Sequence, residues 1–223
     1  MNGNATSPAP GGWRGIELNN FATATMDYCV VRYGSSSTAQ QANLYKNGGG
    51  NVNISNSTFS NGAYSGISVI SATGTISISS SIIANNATYG IFVFGSGTLP
   101  SIKKNQISGS NVGIYAEASA NPLIGGSAGN GNDIFNNIAY SVQNASTSPT
   151  INATYNWWGS STAPLLTGLN KVSNYVDSGN FLTASAFSNT AFVPDTAKTT
   201  VGTSTLTGTR LTRVFSNPYG QAL

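Results

Sequence analysis

The sequence has no histidine and only one cysteine, Cys29. The absence of histidine excludes a Ser-His-Asp triad and a papain-like Cys-His pair. It also disfavours a structural zinc site, which takes its ligands mainly from cysteine and histidine. A single cysteine cannot form an internal disulfide, so cysteine content does not assign the chain to an oxidising or a reducing compartment.

Charged residues are scarce at 7%, with nine basic and six acidic side chains and a net charge of +3. The basic residues are scattered, and Lys103-Lys104 is their one adjacent pair. Nucleic-acid binding needs a concentrated basic stripe, so no nucleic-acid partner is expected. No run approaches about 18 consecutive apolar residues, so no membrane span is expected. The first twelve residues lack the basic start and apolar core of a signal peptide.

Hydrophobic residues, in contrast, make up 39% of the chain, which is moderate for a sequence with so little charge. Disordered chains combine low hydrophobicity with high charge, so this composition favours a packed core. The 26 glycines and the abundant serine, threonine and asparagine predict many tight turns.

A Gly-Ile-x-aliphatic unit recurs at Gly15, Gly66, Gly90 and Gly113, with degenerate copies at Gln41 and Asn137. Successive copies are 26, 25, 24, 23 and 24 residues apart. Within a unit, apolar and polar residues alternate with the period of a β-strand, and polar turns separate the strands. A repeat of about 24 residues built from short strands predicts a parallel β-solenoid in which each unit is one coil.

Two further apolar columns support this prediction. Ile54, Ile78 and Ile102 are 24 residues apart, and the residues five positions later are Phe59, Ile83 and Ile107. Met26 and Val31 have the same five-residue spacing in the first unit. We expect both columns to face the core.

Polar residues repeat with the same period. Ser57, Ser81 and Asn105 are 24 residues apart, as are Asn61 and Asn85, so stacked side chains are expected to hydrogen-bond along the rod. Cys29 and Thr154 are predicted to share the column of Ser57. Cys29 is therefore interpreted as a small buried filler rather than a reactive thiol.

Several segments together resemble bacterial right-handed parallel β-helix proteins of the pectin-lyase-like superfamily. They are GGWRGIEL (11–18), MDYCVVRYG (26–34), ISNSTFSNGAYSGISV (54–69), IGGSAGNGNDIFNN (124–137), NWWGSSTAP (156–164) and NYVDSGNFLTASAF (174–187). With the repeat, this resemblance implies an all-β fold. We expect a right-handed parallel β-helix of about six coils over residues 1–164, followed by a C-terminal cap and extension over residues 165–223. In such proteins further coils often precede this opening segment, so oligomer formation through an exposed end of the solenoid is also expected.

The aromatic residues are the candidate ligand-binding groups. The third position of the repeat unit points outward, which places Phe92 and Tyr115 one coil apart on the surface, with Tyr89 and Tyr140 nearby. Aromatic rings in a row offer apolar faces and polar tips on which sugar rings stack. Tyr89, Phe92 and Tyr115 are therefore the predicted binding residues. The competing interpretation is that the C-terminal segment folds back and covers them.

The paired tryptophans at Trp157 and Trp158 are interpreted as the cap of the rod. Trp157 falls near the position of Phe59, Ile83 and Ile107, so one tryptophan is expected to fill that inward column and the other to lie over the open end. Gly159 and Pro164 then turn the chain out of the solenoid.

One segment is a candidate for metal binding, the Gly-rich stretch 129–135. It partly matches a calcium-binding solenoid repeat, which leaves a calcium ion near Asp133 as an alternative. The favoured interpretation is a turn in which Asp133 caps backbone amides. No cofactor is otherwise expected.

Three functions remain open from the sequence. The leading hypothesis is a structural or binding module of a secreted or cell-surface bacterial protein, non-catalytic, with a polysaccharide or cell-surface partner. The alternative is a polysaccharide lyase, a glycoside hydrolase or a fragment of one, although the six carboxylates form no stacked pair in the repeat. Ice binding is a third hypothesis, based on the short outward column of Asn53, Ser77 and Ser101.

Overall fold

The structure is a computed structural model and describes residues 7–35, 42–168 and 170–187. These residues form short strands and turns and contain no helix. The strands are β1 (Ile16–Leu18), β2 (Ala24–Asp27), β3 (Val30–Arg32), β4 (Ala42–Asn47), β5 (Val52–Ser55), β6 (Thr58–Ser60), β7 (Ser65–Ile70), β8 (Ile76–Ser79), β9 (Ile82–Ala84), β10 (Tyr89–Phe94), β11 (Ser101–Lys103), β12 (Gln106–Ser108), β13 (Val112–Glu117), β14 (Leu123–Ile124), β15 (Asp133–Phe135), β16 (Tyr140–Asn144), β17 (Ile151–Asn152) and β18 (Val176–Asp177).

Strands β1 to β16 form three parallel sheets that run along the rod, and β17 and β18 form a separate two-stranded sheet. The first sheet has the order β1-β4-β7-β10-β13-β16, the second β14-β11-β8-β5-β2 and the third β15-β12-β9-β6-β3. Every third strand along the chain thus joins the same sheet, which is the topology of a solenoid of about six coils. The predicted fold class is confirmed.

The core consists of stacked aliphatic columns, one from each sheet. Ile54 pairs with Ile78 and Ile78 with Ile102 in the second sheet, and all three are fully buried. Phe59 pairs with Ile83, and Ile83 with Ile107, in the third sheet. Both predicted columns are confirmed. Burying one such side chain contributes about 1.5 to 3 kcal/mol, so the repetition of these columns stabilises the rod.

The predicted register of two degenerate copies of the repeat unit is wrong. Leu44, rather than the residue two positions earlier, pairs with Ile16, so the copy at Gln41 was placed two residues early. Val142 pairs with Ile114, so the copy at Asn137 was placed four residues early. The stacking of inward residues sets the register, and extra residues are accommodated in the turns.

The glycine of the repeat unit is required by the close approach of neighbouring coils. A Cβ atom at Gly90 would lie 2.5 Å from the carbonyl oxygen of Gly113, and one at Gly113 would lie 2.5 Å from that of Ser141. Real Cβ contacts do not reach such distances, so no other residue fits without moving the backbone. This explains why Gly-Ile is the most regular part of the repeat.

A polar ladder runs through one corner of every coil. The backbone N–H of each member donates to the side-chain oxygen of the next member, at 2.8 to 3.1 Å. Its members are Cys29, Ser57, Ser81, Asn105, Asn132 and Asn156. The ladder satisfies buried backbone donors that have no strand partner at the corner.

Three details of the predicted ladder are corrected. Asn156 holds the last position, and Thr154 does not. Cys29 is in the column but is half-buried, because it belongs to the first coil. Asn61 and Asn85 adopt φ angles of 53° and 55°, and the stacked side chain of their corner is the next residue, as in Asn86 accepting from the Gly62 N–H at 2.9 Å. Asparagine tolerates this left-handed conformation better than most residues.

Lys46 is a buried cation that sequence reasoning did not single out. It pairs with Leu18 and Val69 in the first sheet and is only 1% exposed. Its ammonium donates to the carbonyl oxygens of Asn20 and Asn47, both at 3.0 Å, and to that of Gly49. Burial lowers the pKa of Lys46 below its ordinary value. The lysine thereby ties two neighbouring turns together.

The stacking continues beyond residue 164 as a partial coil. Val172 bridges Val142, β18 pairs with β17, and Leu182 bridges Trp157. The described residues group as one compact unit. Residues 188–223, the later part of the C-terminal cap and extension predicted over residues 165–223, lie outside the described residues.

Candidate ligand-binding surface

The outer side of the first sheet carries a cluster of aromatic residues. In its outward column, Tyr45 pairs with Ser68, Ser68 with Phe92, Phe92 with Tyr115, and Tyr115 with Gln143. The alternation of the strand puts these side chains outside because their neighbours Ile91 and Ile114 face the core. The outward placement of Phe92 and Tyr115, one coil apart, agrees with the sequence prediction.

Tyr89, Phe92 and Tyr115 lie in mutual contact. Their ring centroids are 5.4 Å apart for Tyr89–Phe92, 4.6 Å for Tyr89–Tyr115 and 5.7 Å for Phe92–Tyr115. The three rings are nearly parallel, with interplanar angles of 17°, 18° and 27°. We call this cluster, with the flanking rings of Tyr64 and Phe94, the aromatic surface.

The flanking rings of the aromatic surface were not found by sequence reasoning. Tyr64 contacts Tyr89 edge-on at 5.5 Å, and Phe94 contacts Phe92 at 6.2 Å. For Phe94 a signal was present, because strand alternation places it two residues after Phe92 on the same side of β10. Tyr64 is in a turn, where no periodic signal predicts the direction of a side chain.

The rings of the cluster differ in how much of their surface is exposed. Phe92 is only 6% exposed, whereas Tyr64, Tyr89 and Tyr115 are half-buried. Phe92 is therefore in the outward column, as predicted, but it is buried, which corrects the expectation that its ring is exposed at the surface. The hydroxyl of Ser68 in the same column is fully buried and has no hydrogen-bond partner. The prediction that the C-terminal segment covers these rings falls on residues outside the described part of the chain.

The phenol groups of Tyr89 and Tyr115 stay protonated over a wide pH range. Burial raises the pKa of Tyr89 well above its ordinary value, and the nearby Tyr64 and Tyr115 raise it further. Burial also raises the pKa of Tyr115, as does the neighbouring Glu117 carboxylate. Neutral phenols retain an O–H donor, so the aromatic surface combines apolar ring area with hydrogen-bond donors.

Tyr140 is in line with the cluster but separated from it. It pairs with Val112, whose other partner is Tyr89, so an aliphatic residue lies between the two tyrosines. The ammonium of Lys171 lies 4.4 Å from the centre of the Tyr140 ring. Tyr140 therefore belongs to the next coil and to a different local environment.

The tryptophan pair closes the core, with the two roles assigned to particular residues. Trp157 bridges Asp133 and Leu182 and is half-buried against Phe135, at 5.4 Å between centroids. Trp158 is fully buried and belongs to the core cluster. Trp158, not Trp157, therefore continues the inward column, one residue later than the sequence alignment placed it. The partial coil of residues 172–182 stacks on this coil, so neither indole is an open lid.

Gly159 ends the tryptophan segment in a left-handed conformation, with φ of 85°. This agrees with its predicted role in turning the chain, because glycine adopts positive φ without strain.

Asp133 accepts hydrogen bonds from a distant segment. Its carboxylate accepts from the backbone N–H groups of Ala186 at 2.8 Å and Phe187 at 3.2 Å, and from the Ser185 hydroxyl. Asp133 is 2% exposed. It caps backbone amides, as the favoured interpretation held, but those of a segment more than fifty residues later rather than of its own turn. Within the described ranges, no group of three or more acidic, histidine or cysteine side chains is arranged to hold a metal.

Two acidic side chains of the first coil also have polar partners. Asp27 accepts from the Ser55 hydroxyl and the Asn56 amide, both at 2.9 Å. Glu17 pairs with Arg14 at 2.5 Å. These contacts hold neighbouring segments together and involve no second carboxylate.

The hydroxyl column on the second sheet is short. Asn53, Ser77 and Ser101 are in register, and the next residue in this column is Leu123, which is 38% exposed. Thr25 precedes Asn53 in this column, so the aliphatic side chain of Leu123 ends the row of polar groups after four coils.

None of the described segments is a helix with the length and apolar character needed to cross a membrane. Comparisons with curated proteins and with solved structures return no match. The family model described as the right-handed β-helix region matches residues 9–157, which include every strand of the three sheets. Repeat, topology and family model agree, and the chain belongs to the right-handed β-helix family.

Proposed function

We propose that this β-helix is a non-catalytic structural or binding module of a secreted or cell-surface bacterial protein, and that it contacts glycans through its aromatic surface. The observation that carries the proposal is the mutual contact of Tyr89, Phe92 and Tyr115 on the outer side of one sheet.

Glycan contact suits this cluster for two physical reasons. Aromatic rings bury the C–H faces of sugar rings, and phenol hydroxyls pair with sugar hydroxyls. The half-buried tyrosines offer both, while buried Phe92 packs against Tyr89 and Tyr115. Because the rings contact one another, little side-chain entropy remains to be lost on binding.

The module is proposed to be non-catalytic because of the partners that its carboxylates have. Glycoside hydrolysis commonly needs two carboxyl groups about 5 to 10 Å apart across an open cleft. Asp27, Asp133 and Glu17 instead bind neighbouring hydroxyl, amide or guanidinium groups. Glu117 lies beside the aromatic surface and raises the pKa of Tyr115, which matches the role of a hydrogen-bond acceptor.

A polysaccharide binding assay with ring-removal variants tests the proposal. The full chain is applied to a glycan array, and affinities for the glycans that bind are measured by calorimetry. Tyr115→Ala is expected to weaken binding by about tenfold, which is the loss of one stacked ring. Tyr115→Phe keeps the ring and is expected to weaken binding less.

Tyr28→Ala is the matched control, because Tyr28 is an exposed tyrosine of the first coil and is 50% exposed. Equal affinity of wild type and Tyr115→Ala would refute the aromatic surface as the contact. Reducing-sugar and unsaturated-product assays on the same glycans test for turnover, and release of products would refute the non-catalytic assignment. Absence of both binding and turnover across a broad panel would leave a purely structural rod.

A further inference from the structure

A cavity of about 360 Å³ lies at the C-terminal end of the first sheet. Its walls come from β16, the turn that follows it, and the segment 172–175 that stacks on β16. Ligand pockets in proteins usually occupy about 300 to 1,000 Å³, so this volume suits a small ligand. The cavity is one coil beyond Tyr115, since Tyr115 pairs with Gln143 of β16.

Hydrogen bonds within the chain hold the walls of the cavity in place without a ligand. Asn144 is buried and donates its side-chain amide to the carbonyl oxygens of Pro149 at 2.8 Å and Tyr175 at 3.0 Å. Its side-chain oxygen accepts from the Ser146 N–H at 3.0 Å. The Asn144 N–H donates to the Ser173 hydroxyl at 2.8 Å. The cavity is thus preformed, which lowers the entropic cost of binding.

The lining combines apolar surfaces with free polar groups and carries no charge. Tyr140, Leu166 and Tyr175 supply ring and aliphatic area, and Leu166 and Tyr175 are 60% and 49% exposed. The side chains of Thr147 and Asn174 have no hydrogen-bond partner among the described residues. No acidic or basic side chain of the described chain lines the cavity. Lys171 is adjacent, with its ammonium 4.4 Å from the centre of the Tyr140 ring.

We infer that this cavity binds one neutral sugar residue, such as the end of a glycan chain. The inference deepens the proposed function, on which it rests, by assigning a second site and a substrate class. A sugar ring presents a C–H face to an aromatic ring, and its hydroxyls pair with amide and hydroxyl groups such as those of Asn174 and Thr147. An acidic sugar would find no cation among the lining side chains, because the Lys171 ammonium is outside the lining and over the Tyr140 ring, and burying its carboxylate would be costly.

The test is a titration of the isotope-labelled full chain with free monosaccharides, followed by NMR chemical shifts. The neutral arm uses glucose, galactose, mannose and N-acetylglucosamine, and the acidic arm uses glucuronic and galacturonic acid. Saturable shifts are expected for at least one neutral sugar, centred on residues 140–147 and 172–175. Tyr140→Ala and Asn174→Ala are each expected to weaken this binding at least about fivefold.

Tyr115→Ala serves as the control, because it removes a ring of the aromatic surface without touching the cavity. Monosaccharide binding that survives Tyr115→Ala while polysaccharide binding is lost supports both sites. Monosaccharide binding with unaltered polysaccharide affinity in Tyr115→Ala supports the cavity and refutes the aromatic surface.

Three outcomes overturn the inference on its own. They are no saturable binding of any neutral sugar, binding of the acidic sugars alone, and binding that is unchanged in both cavity variants. Asn174 is an exposed turn residue, so Asn174→Ala keeps the test valid if Tyr140→Ala proves unstable.

Discussion

At the scale of single residues, the corners of the coil make the strictest demands. Asn105 is fully buried and joins three coils. Its side-chain oxygen accepts from the Ser81 N–H at 3.0 Å, and its amide donates to the Ile78 carbonyl at 2.8 Å and to Asn132. An asparagine fits here because its side chain accepts through the oxygen while its amide donates two hydrogen bonds, to the coils on both sides.

Asn105→Ala is expected to lower the free energy of unfolding by about 2 to 4 kcal/mol. The substitution leaves the buried Ser81 N–H without its partner, at about 1 to 3 kcal/mol, and removes the amide hydrogen bonds to the Ile78 carbonyl and to Asn132, at about 1 kcal/mol each. Urea denaturation measures the change. Asn53→Ala is the matched control, since Asn53 is exposed on a strand and should change stability by less than about 0.5 kcal/mol. Equal effects of the two substitutions would contradict the ladder's role.

The paired tryptophans also differ in burial, since Trp158 is fully buried and Trp157 is half-buried. Trp158→Ala is expected to destabilise the protein by about 3 to 5 kcal/mol, because it opens a cavity in the last full coil. Trp157→Ala should cost about 1 to 2 kcal/mol, because the Trp157 side chain is half-buried. Thermal unfolding of both variants tests the order. A larger loss for Trp157→Ala would place the wrong indole in the core.

At the scale of elements, the chain leaving the solenoid is held by one carboxylate. Buried Asp133 of β15 accepts from Ser185, Ala186 and Phe187, so residues 185–187 return to the side of the third sheet. Hydrogen bonds to a charged acceptor are stronger than neutral ones, and this contact is therefore the main local anchor of the segment.

Asp133→Asn is expected to loosen residues 185–187 without unfolding the rod. An amide lacks the charge and offers one acceptor oxygen in place of two, so the opening free energy of this segment should fall by about 1 to 2 kcal/mol. Hydrogen exchange of the Ala186 and Phe187 amides measures it. Asp177→Asn, at an exposed acid that accepts locally from Gly179, should leave their protection unchanged. Unchanged exchange in Asp133→Asn would contradict the anchor.

At the scale of the whole molecule, the two ends of the stack differ. Ile16, Leu18 and Met26 of the first coil are partly buried, whereas Ile67, Ile91 and Ile114 in the middle are at most 1% exposed. At the other end, Trp158 is fully buried beneath a partial coil. In a solenoid each coil contacts only its neighbours, so local stability follows these differences.

Hydrogen exchange is expected to be fastest in the first coil. Amides of β1 to β3 should show lower protection than those of β7 to β13, because fewer apolar contacts oppose local opening there. The amides of β16 should be better protected than those of β1, because the partial coil covers them. Uniform protection along the rod would contradict this gradient and indicate one all-or-none unfolding unit.

The sequence alone determined the fold, because its signal is local and repeated. The glycine that a close backbone approach requires, the inward isoleucines and the column of Ser57, Ser81 and Asn105 recur at nearly constant spacing. The outward placement of Phe92 and Tyr115 followed from strand alternation in the same way, whereas Tyr89 has the parity of inward-facing Ile91 and its contact with them did not.

Tertiary structure decided what is not periodic. Insertions in the turns shifted the repeat copies assigned to Gln41 and Asn137, and the packing of the last full coil decided that Trp158 rather than Trp157 enters the core. Tyr64 reaches the aromatic surface from a turn, and Asp133 meets amides 53 and 54 residues away. Such contacts depend on how the turns and the partial coil pack, which no local pattern in the sequence encodes.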